Sequence, residues 1–444
     1  MSMNKADFVE RVDSIIGFLE PLRAFLDLKP RHYLTGSAFE SLPSHIQKEL
    51  QDMSPEEIRT LSWMQERAET DRKGLDAIRT ATRRWAARCM PPPQEPLAEP
   101  IRLSKAAAVG MTPKKRHETE MLAPLVAQAA GLASPEPMAI LDVGCGHGYL
   151  TMACGLLCGL PMVGVEGKYL LSDKRVINRC QVMLKESTHP QPRQPVFAKV
   201  AFDSKTTIRE QVEIGTNSSI GLVGLHACGQ LSVDMIRMFS QDPKASMLTL
   251  VSCCYGRFGA LGNAMEFPMS RCCRERGLRL SEAALRTASE SLAERQQESV
   301  EEYERSHTLL LYRLASECIL DRELGGAENY KCMKGVAKKT VGSFAEYFGL
   351  LRQNMVSNRQ LRPISDDELI QTYGELVPDR VRHKILAMLG LKYSLGDLLE
   401  SLVIFDRAVF LYEQGARQVD VFSCFDETIS PTNLCLRALK DSVY

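Results

Sequence analysis

The chain of 444 residues has no surplus of charge, since 55 Lys and Arg face 55 Asp and Glu. That balance excludes a general polycation that coats nucleic acid through its overall field, though not a local basic groove. Cysteine is sparse at 14 residues, far below the density of a disulfide-held scaffold. The opening MSMNKADFVERVD also lacks a basic-then-apolar leader. Together these absences predict a reducing, intracellular setting, cytoplasmic or nuclear, with mostly free thiols. Glycine (29) and proline (22) are too few for a collagen-like or broadly disordered chain. Long uncharged runs are scarce, with one exception. Residues 143–165 hold no Lys, Arg, Asp or Glu and are long enough to imitate a membrane span. Six glycines, His147 and Pro161 divide that run into strand, turn, helix and strand, so no membrane insertion is expected.

What is there falls into three regions, a number that the length allows. Residues 1–100 read as helical. Phe8, Val12, Ile15, Ile16, Leu19 and Leu22 make one apolar stripe. Pro43 and Ser44 mark one helix start, and Ser54, Pro55 and Glu57 mark another, before the Pro-rich linker 90–100. Residues 101–315 alternate apolar runs with helical patterns, which predicts an α/β domain with a largely parallel, buried sheet. The candidate strands are 139–145, 162–167, 196–202, 220–228, 247–255 and 307–314. The charged stretch 281–306 reads as a long helix, inserted or covering one edge. Residues 316–444 read as helical again, with Gly415 as a C-cap.

The chemistry gathers after the first strand. Ile140-Leu141-Asp142-Val143-Gly144-Cys145-Gly146-His147-Gly148-Tyr149 is a strand, a glycine-rich turn and a helix start. Glycine suits such a turn because a side chain would keep the backbone from closing on a ligand, and the helix amides that follow attract negative groups. The spacing is G-x-G-x-G, not the G-x-G-x-x-G of dinucleotide-binding folds, which disfavours a nicotinamide-dependent oxidoreductase. Glu166 ends the second strand, where an acid can accept hydrogen bonds from a ribose diol. The D-x-G-x-G-x-G turn and this acid resemble class I S-adenosylmethionine-dependent methyltransferases.

Two further strands end in Leu225-His226-Ala227-Cys228-Gly229 and Ser252-Cys253-Cys254-Tyr255-Gly256. Carboxyl ends of parallel strands are where open α/β sheets bind ligands. Three readings of these residues remain open. One is a soft-metal site of His226, Cys228, Cys253 and Cys254, which lacks C-x2-C spacing and uses neighbours that a strand would point oppositely. Another is a catalytic thiol, Cys228 or Cys254, activated by His226. In the third, favoured here, the thiols are small hydrophobes and His226 positions a ligand, with no metal assigned. Cys154, Cys158 and Cys180 fall on helical patterns, as core residues do. Ahead of the first strand, Thr112 caps a helix whose first turn carries Lys114, Lys115 and Arg116 against its dipole. Those cations suit a phosphate or carboxylate, with His117 and Glu118 closing over a cofactor; a solvated basic turn is the alternative.

GMTPKKRHE, DVGCGHGYL, GLHACGQLS and VSCCYGRF, with FAEYF, LESLVIFDRAVFLYEQ and SPTNLCLRAL further on, resemble the methyltransferase-like protein 25 family, which includes a protein named for a ribosomal RNA adenine dimethylase domain. SAFESLPSHIQKEL agrees more loosely. The resemblance implies a Rossmann-like class I methyltransferase sheet flanked by N-terminal and C-terminal helical regions, with S-adenosyl-L-methionine as cofactor. The cofactor role carries over to Asp142, Gly144, Gly146, Gly148 and Glu166. Cys145, His147 and Tyr149 in the same turn, Lys115 and His117 ahead of it, Asp203 after the third strand, and His226 complete the candidate binding set. The catalytic candidates are His226, Cys228, Cys254 and Tyr255, with His226 first as base. A similar His-x-Cys-Gly and Cys-Cys pairing occurs in transfer-RNA 2′-O-methyltransferases of the thirteen type, so RNA leads as acceptor, with protein as the alternative. A non-catalytic, cofactor-binding scaffold is the other class of function. LHACG stands where adenine N6-dimethylases carry an Asn-Leu-Pro-Tyr-like motif, so adenine dimethylation is not expected. Thr432 replaces an expected basic residue in SPTN.

Overall fold

A computed structural model of the chain describes residues 3–34, 37–61, 71–167, 174–200, 209, 212–215, 218–256, 266–290, 298–332, 336 and 341–441. They divide into two compact units. One comprises Met1–Phe18, Ala81–Ala293 and Gly396–Tyr444, the other Leu19–Thr80 and Glu294–Leu395.

The first unit holds β1 (Ala139–Val143), β2 (Met162–Glu166), β3 (Val196–Lys199), β4 (Ile220–Leu225) and β5 (Ala245–Val251). The hairpin β6 (Tyr330–Cys332) and β7 (Met355–Ser357) belongs to the second unit, and β8 (Gln418–Ser423) and β9 (Leu434–Leu439) return to the first. Among the described residues, seven strands form one sheet in the order β3-β2-β1-β4-β5-β9-β8. β1 to β5 pair in parallel, while β9 runs antiparallel to both β5 and β8. β1 and β5 are buried along their whole length, as strands covered on both faces must be. Leu122 and Val126 of the helix Pro113–Leu132 share a core with Ile140, Leu150, Val223 and Met247. The strand order grows outward in opposite directions from β1 and β4. Open α/β sheets take their ligands beyond the carboxyl ends of the strands at such a reversal.

The uncharged run 143–165 resolves into the end of β1, a turn, the helix Tyr149–Cys158 and β2. That helix, ten residues long, rises only about 15 Å, half of a bilayer core. Among the described residues, no helix is long and apolar enough to cross a membrane.

Several boundaries differ from the sequence reading. The apolar run 307–314 is not a strand: it lies inside the helix Val300–Leu324, started by a capping box in which Ser299 Oγ accepts from Glu302 N and Glu302 returns to Ser299 N. The predicted helix over 281–306 is a short helix, Glu282–Thr287, and then the start of Val300–Leu324, with 291–297 outside the described residues. The stretch 316–444 is not all helical, because β8 and β9 complete the sheet of the first unit. Arg437 and Asp420 are paired across these strands and bonded at 2.8 and 3.0 Å, which sets two opposite charges against each other inside a buried layer. The sequence reading set domain limits at 100 and 315; the two compact units are each assembled from separated segments.

In the second unit, Ser54 caps the helix Pro55–Arg59 in a capping box with Glu57, and a helix begins at Ser44, both as the sequence predicts. In the first unit, Phe8 of the N-terminal apolar stripe packs against Phe405 of the helix Gly396–Glu413 with ring centroids 5.5 Å apart.

Candidate active site

β1 leads into the turn 144–148, where Gly144, Gly146 and Gly148 all have positive φ (75°, 53° and 69°). Two of them serve different ends. A Cβ on Gly148 would stand 2.7 Å from the Phe197 ring, so that glycine lets β3 pack against the turn. A Cβ on Gly146 would meet nothing within 4 Å. Bare main chain therefore faces open space at Gly146. Across from it, Glu166 at the end of β2 accepts a hydrogen bond from the Gly146 amide at 3.1 Å through Oε2.

The rest of the turn is built inward. Asp142 is buried and accepts from Thr151 Oγ1 at 2.6 Å, which ties β1 to the helix Tyr149–Cys158. Burial outweighs that hydrogen bond and pushes its carboxyl up to about 6. Asp142 thus supports the turn by tying the end of β1 to the helix that follows it. The Cys145 amide bonds Val165 O at 3.1 Å, and burial pushes its thiol up. Tyr149 donates to Gly110 O at 2.9 Å beneath the Arg179 guanidinium, 4.3 Å from the ring centroid, and His147 lies beside that ring at 5.8 Å. Asp203 lies outside the described residues.

A second group of side chains meets at the carboxyl end of β4. His226 has φ 61°, a conformation that costs a non-glycine residue about 1 kcal/mol, and its amide donates to Val251 O at 2.9 Å. Its Nε2 lies 2.8 Å from Oε1 of Glu118, a fully buried residue on the helix Pro113–Leu132. Ser430, on the loop between β8 and β9, donates to the same oxygen at 2.8 Å, and Lys115 Nζ lies 2.9 Å from Oε2. Burial opposes ionisation of Glu118. The His226 hydrogen bond and the charges of His226 and Lys115 outweigh it and hold the carboxyl down at about 2.

These contacts correct the reading of the basic turn. Lys115 is paired with Glu118. Arg116 bonds Glu120 at 2.9 Å and also donates to Leu103 O, so it braces the segment before the helix. His117 accepts from the Asp426 amide at 3.0 Å and stands edge-on to Phe425, which places it against the β8–β9 loop. Glu118 reaches His226, and Asp426 and Ser430 are contacts the sequence reading missed. Ser430 opens the SPTN run that the resemblance had already singled out.

The cysteines do not form a thiol–imidazole pair. Cys228 Sγ donates to His226 O at 3.1 Å and lies 2.7 Å from Cys253 Sγ, while the His226 ring is held by Glu118. The Cys228 hydrogen bond, with burial and the neighbouring thiols, pushes the Cys253 thiol up. β5 stops at Val251, so residues 252–254 are free of strand alternation, and the sulfurs of Cys228, Cys253 and Cys254 all lie within 4.8 Å of one another. Tyr255, the remaining catalytic candidate, points into the protein. It is buried, its hydroxyl donates to Glu400 Oε1 at 3.0 Å, and the Arg407 guanidinium lies 5.3 Å from its ring. Glu400 is also held by Arg88 at 2.9 and 3.1 Å, which makes Tyr255 part of a structural anchor. Of the three helical cysteines, Cys154 is buried, while Cys158 and Cys180 are half-buried.

Residues 114–259 match a family described as a methyltransferase domain. That stretch is about a third of the chain and contains the glycine turn, Glu166, His226 and the three clustered cysteines. The match, over a Rossmann-like sheet, supports a class I methyltransferase. No solved structure matches the chain.

Proposed function

We propose that the protein is an S-adenosylmethionine-dependent methyltransferase of the methyltransferase-like protein 25 type, acting on RNA. The observation that carries this reading is the pairing of Gly146 and Glu166: open main chain at the mouth between β1 and β2, with a carboxylate 3.1 Å from its amide. Such a cradle fits the amino-acid end of the cofactor along the turn, and Glu166 suits its ribose hydroxyls. When bound, S-adenosylmethionine supplies an activated methyl on a sulfonium, so the protein's task is chiefly alignment.

His226 is placed to handle the acceptor's proton. Glu118 is ionised at neutral pH and only accepts, so the proton of a neutral His226 ring sits on Nε2 and the lone pair on Nδ1. Glu118 orients the ring as a carboxylate orients the histidine of a hydrolytic triad. Nδ1 is then the atom that would take the proton of an acceptor O–H or N–H, were S-adenosylmethionine held along the turn to supply its methyl. RNA is favoured as acceptor because the His-x-Cys-Gly and Cys-Cys pairing is similar to that of transfer-RNA methyltransferases. Labelling RNA and protein from cells that lack the protein, with purified enzyme and isotopic S-adenosylmethionine, tests this. Label in RNA is the expected result. Label in protein alone overturns the acceptor, and no label despite cofactor binding favours the scaffold.

A further inference from the structure

We propose that Cys228, Cys253 and Cys254 form a binding site for a thiophilic d10 metal ion, zinc(II) foremost, that clamps the carboxyl ends of β4 and β5 together. The chain has 14 cysteines, and these three meet from two segments with every sulfur within 4.8 Å of the others. Neighbouring residues of a strand would diverge, but Cys253 and Cys254 lie past the end of β5 and converge. The main chain already holds both sides in register: the His226 amide donates to Val251 O at 2.9 Å and the Gly229 amide to Cys254 O at 3.1 Å. All three cysteines are half-buried, so an ion can reach them yet be partly withdrawn from water.

The donor set selects the ion. Thiolates favour zinc(II) or copper(I) over magnesium and calcium, which prefer oxygen. Zinc–sulfur bonds of about 2.3 Å put two sulfurs of a tetrahedral site about 3.8 Å apart. Cys228 and Cys253, at 2.7 Å, therefore open by about 1 Å on loading, within reach of side-chain rotation. Three S–H bonds lose protons to solvent and three sulfur–metal bonds form, without any change of oxidation state. Water takes the fourth position of a zinc ion. The site stands apart from the methyl-transfer reading, because it rests on the three sulfurs alone.

The test uses the full chain, purified under thiol reductant, incubated with zinc sulfate, desalted and analysed by elemental mass spectrometry. About one equivalent per chain is expected, as for a single zinc site. Cys228→Ser and Cys254→Ser should each lose most of it, and Cys332→Ser, an exposed cysteine of the other unit, should keep it. If the serine variants fail to fold, the native chain answers alone: cobalt(II) should give a thiolate charge-transfer band, and zinc should shield Cys228, Cys253 and Cys254 from alkylation. Zinc that does not stay with the native chain, unchanged metal content in Cys254→Ser, or equal alkylation with and without zinc would overturn the site. So would a Cys228–Cys253 disulfide that persists under reductant.

Discussion

Glu118 and His226, 108 residues apart in the chain, meet at 2.8 Å and form a carboxylate–imidazole pair at the carboxyl end of β4. The pair joins the helix before β1 to the turn after β4, and Ser430 adds the β8–β9 loop to the same oxygen. His226→Ala should therefore cut turnover by about a hundredfold or more while cofactor binding changes little. A single-turnover methyl-transfer assay beside calorimetric binding separates the two, and a fully active variant would remove His226 as base.

Glu118→Gln keeps the shape but not the charge. Neutralising it should cost about 1–2 kcal/mol at pH 7, a modest figure because Lys115 and His226 are partly exposed. The native carboxyl is held at about 2, below its ordinary 4.5, so its contribution is fully present above 4.5 and is lost as pH falls toward 2. Urea titrations of both proteins across that window should converge at the acid end; a constant gap would contradict the pairing.

Asp142 has the opposite sign. Burial raises its carboxyl from 3.8 to about 6, so the folded state binds a proton more tightly than the unfolded chain. Stability should fall as pH rises from about 4 to about 6 and then level off, by at most about 3 kcal/mol. Asp142→Asn keeps an acceptor for Thr151 and has no proton to lose. The variant should gain on the native protein through that window in thermal unfolding, and a flat difference would refute the assignment.

Tyr255→Phe isolates the anchor from the site. Losing the hydroxyl beside Glu400 should cost about 1–2 kcal/mol in denaturant. Cofactor binding and turnover should stay within about twofold, since the removed bond is a structural one. A large loss of turnover with the fold intact would return Tyr255 to the catalytic set.

The β1–turn–helix–β2 unit was legible because glycine at alternate positions after an apolar run marks a backbone that bends through left-handed conformations, and Gly144, Gly146 and Gly148 all adopt positive φ. Glu166 was legible from its place, as an acid at the end of the next strand. The role of Glu118 was not, because nothing local marks a residue whose partner lies 108 positions away. The run 307–314 misleads because a short apolar segment fits a buried strand or one face of a helix equally well. Ser299 and Glu302, three residues apart before that run, were the signal for a helix. β8 and β9 escaped notice because their pairing places Asp420 opposite Arg437, and buried charges read as surface. Cys253 and Cys254 look unable to act together only while β5 is drawn past Val251.

The proposed cofactor site rests on the cradle at Gly146. Isothermal titration of S-adenosylhomocysteine into the native chain, Gly146→Leu and Glu166→Ala measures it directly. A Cβ at Gly146 meets nothing within 4 Å, so that variant should fold with a penalty of about 1–2 kcal/mol from its left-handed backbone. The native protein should bind about one equivalent, and each variant should bind at least about tenfold more weakly, a loss of about 1.4 kcal/mol. A native chain that takes up none, or a Gly146→Leu protein that binds as well as the native one, would contradict the account.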